Sequence, residues 1–114
     1  MIISELEEFR KDLKTLQKRF RTLPEDIEVV KMVLIVRPDE KPPFSFRIDG
    51  LGIDTCVIKV KKIASRSLKG SGINSGFRLI YAYFKEEQKI TLIELYFKGD
   101  KTIEDKNRIL RHFK

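Results

Sequence analysis

Apolar residues recur at helical spacing up to residue 34, alternate at period two from residue 56 onward, and give way to a short capped segment at the C-terminus; together these patterns predict an α+β fold. The 114 residues allow one packed core and leave no room for a second, so residues 1–114 read as a single domain. At 41% hydrophobic and 36% charged residues the chain is globular with a densely ionic surface. The expected architecture is an N-terminal antiparallel helical hairpin packed on a three- to four-stranded antiparallel sheet, with a C-terminal helix.

Each element has a local reason. Ser4 with Glu7 three residues on forms a capping box, and Leu6, Phe9, Leu13, Leu16 and Phe20 follow at helical spacing, which predicts a first helix from about Glu5 to Arg21. Thr22, Pro24 and Glu25 start a second helix with Ile27, Val30, Val33 and Leu34 as its apolar stripe. The short connection makes the two a hairpin. From Arg37 to Thr55 the prolines and glycines exclude a long regular element, although Phe44 to Ile48 fits a brief edge strand. Cys56 to Ile63, Phe77 to Phe84 and Ile90 to Phe97 are β-branched or alternating and form a three-stranded meander. Thr102 caps a closing helix through about His112, with Asp105 completing a weaker box.

Charge narrows the function. The chain carries a formal +7, and all of the excess lies after residue 40: residues 1–40 are net −1 and residues 41–114 net +8. Between Lys59 and Arg78 stand Lys59, Lys61, Lys62, Arg66, Lys69 and Arg78 without one acidic residue, which points to a phosphate-rich ligand, RNA first. Cys56 is alone and His112 is the only histidine, so neither a disulfide nor a His/Cys metal cluster is expected, and no cofactor is implied. No apolar run reaches the ~20 residues that span a bilayer, and a cytoplasmic protein without membrane contact is the expectation.

Strand periodicity then assigns candidate site residues. If Leu79 and Tyr81 face the helices, Arg78 faces away beside Ile80 and Ala82, on an open side of the sheet; an ion pair to Glu94 on the next strand is the structural alternative. Lys59 and Lys61 share a face, with ammonium groups roughly 7 Å apart, close to the spacing of phosphates on a nucleic-acid strand. An edge-strand face that discourages aggregation would look the same. Tyr96 and Lys98, in line with Glu94, place an aromatic ring beside cations, as in the stacking of single-stranded RNA bases; core packing of Tyr96 is the alternative. Arg66 and Lys69 on the intervening loop would extend the RNA contact with Lys62. His112 sits on the last helical turn, where a cation suits the dipole, and is a lesser catalytic candidate.

The Ile58-Lys59-Val60-Lys61 strand, the Gly76-Phe77-Arg78-Leu79-Ile80-Tyr81 strand and the segment Ile93-Glu94-Leu95-Tyr96-Phe97-Lys98-Gly99-Asp100-Lys101, behind a helical hairpin, resemble the RelE/ParE superfamily of toxins, in particular its RelE-like subgroup. That resemblance spans nearly the whole chain. It implies the toxin of a type II toxin–antitoxin system: an mRNA interferase that cleaves messenger RNA, typically on the ribosome, by attack of the ribose 2′-oxygen on the adjacent phosphate without a metal. It also implies a cognate antitoxin, acidic and partly disordered. On the resemblance Lys59 and Lys61 match the family's strand lysines, Arg78 its phosphate-binding arginine and Lys98 its basic residue near the end of the last strand. Residues Gly99 to Leu110 hold no Tyr or His where some relatives place one, so the general acid is unassigned, with Tyr96 and His112 as substitutes. The same resemblance covers ParE-type inhibitors of DNA gyrase, which are not enzymes, and inactive binding modules.

Overall fold

The computed structural model describes all of residues 1–114. In chain order the elements are β1 (Ile2–Glu5), α1 (Glu7–Leu16), α2 (Leu23–Val36), β2 (Ser45–Arg47), β3 (Cys56–Val60), β4 (Phe77–Phe84), β5 (Lys89–Phe97) and α3 (Lys106–Phe113). The α+β architecture and the β3-β4-β5 meander stand as expected. One five-stranded sheet runs β1-β5-β4-β3-β2, antiparallel except for the parallel pair β1–β5.

The extra strand comes from the N-terminus. Ile2 and Ile3 extend along the otherwise open edge of β5, with Ile2 opposite Lys89 and Glu5 opposite Leu92, and the ladder continues through Leu6 N–H donating to the Leu92 carbonyl at 3.0 Å. Ser4 therefore does not cap a helix; its hydroxyl lies 3.0 Å from that of Thr91 across the strand pair. Helix α1 starts after Leu6 with no side-chain cap and with Glu7 and Glu8 in its first turn, where carboxylates suit the dipole. It is shorter than predicted because Gln17 to Thr22 form turns that fold Phe20 back under the sheet. Satisfying the β5 edge outweighed the local capping signal, since an unpaired strand edge leaves a row of backbone groups without partners.

Two cores sandwich the sheet. On one side Phe9, Leu16, Ile27 and Leu34 of α1 and α2 meet Ile58, Val60, Leu79 and Tyr81. Phe20, Phe77 and Phe97 form an aromatic cluster at one end of this layer, with ring centroids 4.8–5.2 Å apart. On the other side Val57, Ile80, Ala82, Ile93 and Tyr96 are covered by Ile109 of α3, with Leu51 and Ile53 of the loop between β2 and β3 packed beside them. The face behind Arg78, expected to be open, is thus mostly closed: Ile80 and Ala82 have no exposed surface.

Helix α3 is held by charge as well as by Ile109. Asp105, not Thr102, is its cap, its side chain accepting from Arg108 N–H at 3.0 Å. Arg108 donates to Asp12 of α1 at 2.7 and 3.3 Å and to the Ile93 carbonyl at 2.9 Å, while Asp12 also accepts from Leu95 N–H at 3.0 Å. One carboxylate thereby ties α1, β5 and α3 together. Glu8 adds contacts to Arg111 at 2.6 Å and His112 at 2.8 Å, and Glu5 joins β1 to Lys31 of α2 at 2.7 Å.

Truncating Ile109 to Ala opens a void under α3 and should cost about 2–5 kcal/mol in urea unfolding, with loss of the α3 contacts. Acid should act on the same anchors. Burial alone would raise the Glu5 and Glu8 carboxyls, but hydrogen bonds and charge from Lys31 and Arg10, and from Arg111 and His112, outweigh it and hold both below their ordinary value of 4.5. Their contribution is complete above that value and is lost as pH falls through the lowered ones, so the urea midpoint should drop as the pH is taken below about 4.5. Glu8→Gln and Glu5→Gln together should flatten that dependence.

Candidate functional site

The end of β4 nearest Gly76 is the part of the far face that α3 leaves uncovered. Lys61 and Lys62 follow β3, Arg78 lies on β4, Lys98 follows β5, and these four with Asn74 and Gly76 line a cleft of about 270 Å³ that contains neither a carboxylate nor an apolar side chain. The backbone brings them together. Lys98 N–H donates to the Gly76 carbonyl at 2.8 Å, which draws the end of β5 onto the start of β4. Gly76 is at φ +92°, and a Cβ there would stand 3.3 Å from the Phe97 ring, so a side chain at this position is both strained and crowded. Ile63 bridges to Asn74, and the Ser75 hydroxyl donates to the Ile63 carbonyl, which closes the base of the 62–75 loop beside the cleft.

The guanidinium of Arg78 is held by carbonyls. Its Nη1 donates to Lys61 at 3.1 Å and to Phe77 at 3.3 Å, and neither it nor Lys61, Lys62 or Lys98 makes an ion pair. Glu94, its alternative partner, instead takes the Lys101 ammonium and accepts from Asp105 N–H at 2.8 Å. Lys62 donates to Asn74 Oδ1 at 2.9 Å, and the Lys61 ammonium stands 5.0 Å from the Phe46 ring centroid. Four cations in one cleft without a counter-charge make a site for an anion with several acceptor oxygens, such as a phosphodiester.

Other predicted site residues are placed elsewhere. Lys59 shares the face of Lys61, but its ammonium is paired with the buried Glu104. Burial would raise the Glu104 carboxyl; the hydrogen bond and charge of Lys59 outweigh it and hold that carboxyl below the ordinary range. Tyr96 is 5% exposed within the core beneath α3, and burial, with Glu104 and Glu94 nearby, pushes its hydroxyl up to about 12. The Lys101 ammonium stands 5.3 Å from the Tyr96 ring centroid, so the ring contributes packing and a cation contact in place of an open stacking surface. His112 faces Glu8 on α1, outside the cleft. Arg66 and Lys69 lie on the helix side, because Ser65 donates to Asp26 at 2.6 Å and Ser67 bonds the Thr22 hydroxyl at 2.7 Å, folding the loop over the start of α2. There they line a second groove, about 560 Å³, with Val29 and Leu68.

Three features escaped sequence reasoning. Asn74 reaches the cleft only through the Ile63 bridge, and Phe46 belongs to a strand of three residues. The third is the outer face of α2. Val33, assigned to the inner stripe, stands with Val29, Met32 and Val36 on the solvent side, where Met32 is 68% and Val36 77% exposed. These four and Arg37 line a shallow groove of about 460 Å³. A helix apolar on both faces carried the signal, since one stripe suffices for a surface helix. No group of three or more His, Cys, Asp or Glu side chains is gathered where it could hold a metal ion. The half-buried Cys56 thiol is pushed up by burial, and no helix is long and apolar enough to cross a membrane.

Neither a protein-family model nor a curated protein matches the sequence. Solved structures do match the fold. A chain of the archaeal RelE–RelB complex from Pyrococcus horikoshii OT3 aligns over 86% of this chain and 94% of its own, with a TM-score of 0.55 and 17% identity. The metal-bound toxin from Helicobacter pylori aligns over 89% and 98%, with a TM-score of 0.58 and 19% identity. At such identities the backbone arrangement is what the chains share: this chain has the fold of those two solved chains.

Proposed function

We propose that the chain is the toxin of a type II toxin–antitoxin pair and acts in the cytoplasm as an endoribonuclease on messenger RNA, free or ribosome-bound. The toxin reading is supported by the fold it shares with the two solved chains. The observation that carries the ribonuclease reading is the carboxylate-free cleft of Lys61, Lys62, Arg78 and Lys98. In the proposed reaction the ribose 2′-hydroxyl gives up its proton and its oxygen attacks the adjacent phosphorus. The bond to the 5′-oxygen breaks and that oxygen takes up a proton, leaving a 2′,3′-cyclic phosphate and a 5′-hydroxyl. Arg78, positioned by two carbonyls, meets the negative charge that grows on the phosphoryl oxygens, where fixed donors are worth most. Lys61 and Lys98 flank it. The proton transfers fall to the cleft lysines and solvent, because Tyr96 is buried and His112 lies elsewhere. Lys59 acts through its pair with Glu104, as a support for the strand that carries Lys61.

One observation favours a second reading. With Tyr96 and His112 outside the cleft, the site is built to hold an anion more plainly than to move protons. A non-enzymatic toxin of the gyrase-inhibiting kind, or an inactive binding module, fits that feature.

The antitoxin's place is the outer face of α2. Val29, Met32, Val33 and Val36 expose an apolar stripe with Arg37 at one end and Arg66 and Lys69 beside Val29 at the other. A chain of net charge +7 attracts an acidic partner, and this stripe fits an amphipathic segment whose apolar side is flanked by carboxylates.

Primer extension after induced expression should show cuts within coding messages, and Arg78→Ala should lower cleavage about 10²–10³-fold at unchanged thermal stability. Growth arrest with intact messages, or supercoiling inhibition by the purified chain, would overturn the ribonuclease reading in favour of the second. For the partner, titration calorimetry with the product of a neighbouring acidic open reading frame should show Met32→Asp weakening binding by at least about tenfold. Unchanged affinity would remove α2 from the interface.

A further inference from the structure

We infer that Phe46 is the stacking surface for a nucleobase of single-stranded RNA whose phosphates lie in the Lys61–Arg78–Lys98 cleft, an inference that rests on the RNA reading above. Seven of the eight phenylalanines are buried or half-buried; Phe46 alone is exposed. Its direction follows from the register. Ser45, opposite Val60, is buried on the helix side, so Phe46, opposite Lys59, projects to the other face, the one that carries Lys59 and Lys61. The next residue on that face, Ile48, packs into the core under α3, whereas Phe46 takes part in neither core. Phe46 keeps 36% of its surface exposed, so this edge strand leaves part of an aromatic ring open on the face that carries Lys59 and Lys61.

What makes the position meaningful is Lys61. Its ammonium lies 5.0 Å from the Phe46 ring centroid while the same side chain lines the cleft with Arg78, so one residue joins the ring to the anion site. In a nucleic-acid strand a base hangs one sugar away from its phosphate. A phosphate drawn to Lys61 and Arg78 therefore brings a base to Phe46, and such pairing of a cationic track with an aromatic surface is the general means of holding single strands. The ring's π-face accepts any base, so the expected contribution is affinity and register with little sequence preference. Tyr96, the aromatic residue that sequence alone placed in this role, lies in the core, and Phe46 fills it from the β2 edge of the sheet.

The test uses the full chain, a fluorescein-labelled single-stranded oligoribonucleotide made uncleavable by 2′-O-methylation, and inorganic polyphosphate as a polyanion without bases. Phe46→Ala should weaken oligonucleotide binding roughly 5- to 100-fold, the worth of one stacked base, and leave polyphosphate binding unchanged. Phe46→Trp introduces the only tryptophan of the chain; it should keep affinity, and its fluorescence should be quenched by the oligonucleotide and not by polyphosphate. Arg78→Ala should weaken both ligands. If Phe46→Ala weakens both ligands equally, or neither, while Arg78→Ala still weakens both, the stacking role is overturned and the cleft stands. If the wild-type chain binds polyphosphate but not the oligonucleotide, the RNA reading falls and the stacking role with it. Because cleavage is blocked throughout, a chain that binds RNA without cutting it leaves these outcomes distinct from failure of the nuclease reading. An unchanged melting temperature for each variant confirms that folding is intact.

Discussion

The pairing of β4 with β5 is the interaction on which the rest of this structure depends. It is the longest ladder in the sheet, and both of its faces are roofed, by α1 and α2 on one side and by α3 on the other. Between Ile80 and Tyr81 its register shifts: Tyr81 faces Leu92 and Ile80 faces Glu94, leaving Ile93 as the additional residue of a bulge. Before the bulge Ile90 and Leu92 point at α1 and α2; after it Leu95 and Phe97 do. Glu94 and Tyr96 consequently turn toward α3, where Glu94 receives Lys101 and the backbone of Asp105 and so anchors the approach to the last helix.

That arrangement also decides where a ligand can reach the sheet. Helix α3 and the Ile48–Ile53 segment cover the middle of the far face, and the Glu104–Lys59 and Glu94–Lys101 pairs close the next row. Only the end at Gly76 stays open. There the strands deliver cations and no carboxylate, and a guanidinium fixed by carbonyls keeps its charge available to a ligand. Acidic residues are not scarce nearby; they are committed to Lys59, Lys101 and α3. Pairing some cations internally while leaving others unpaired is how a site is carved from a uniformly basic stretch, because an ion pair that buries its carboxylate no longer attracts an external anion.

Much of this was legible in the residues themselves. The limits of β4 matched its alternation, and the prediction that Leu79 and Tyr81 face the helices while Arg78 faces away held because Phe77, Leu79, Tyr81 and Tyr83 make one face wholly apolar or aromatic, whereas the other carries the strand's only charge. Of the four cations that the resemblance assigns to the site, three, Lys61, Arg78 and Lys98, line the cleft together with Lys62. The fourth, Lys59, does not, since its partner Glu104 lies in a loop whose path depends on α3. The N-terminal strand was missed because Ser4 and Glu7 satisfy a helix-capping pattern; what overrode it was the edge of β5, a partner more than eighty residues away. Likewise Arg66 and Lys69 belong by composition to the basic stretch and by contact to α2, through serines whose bonds to Asp26 and Thr22 no local pattern shows.

The sequence by itself determined the class of the fold, the sidedness of its strands and the sign of its net charge, because hydrophobic period and charge are read from the residues themselves. Tertiary structure decided which cations are free, which aromatic ring is exposed and which half of the far face is covered. Those outcomes depend on contacts between distant segments: α3 against β4 and β5, Gly76 against Lys98, and Phe46 against Lys61. Whether a charge is spent internally or offered to a ligand is set by the partner that folding brings to it, and that partner is rarely adjacent in the chain.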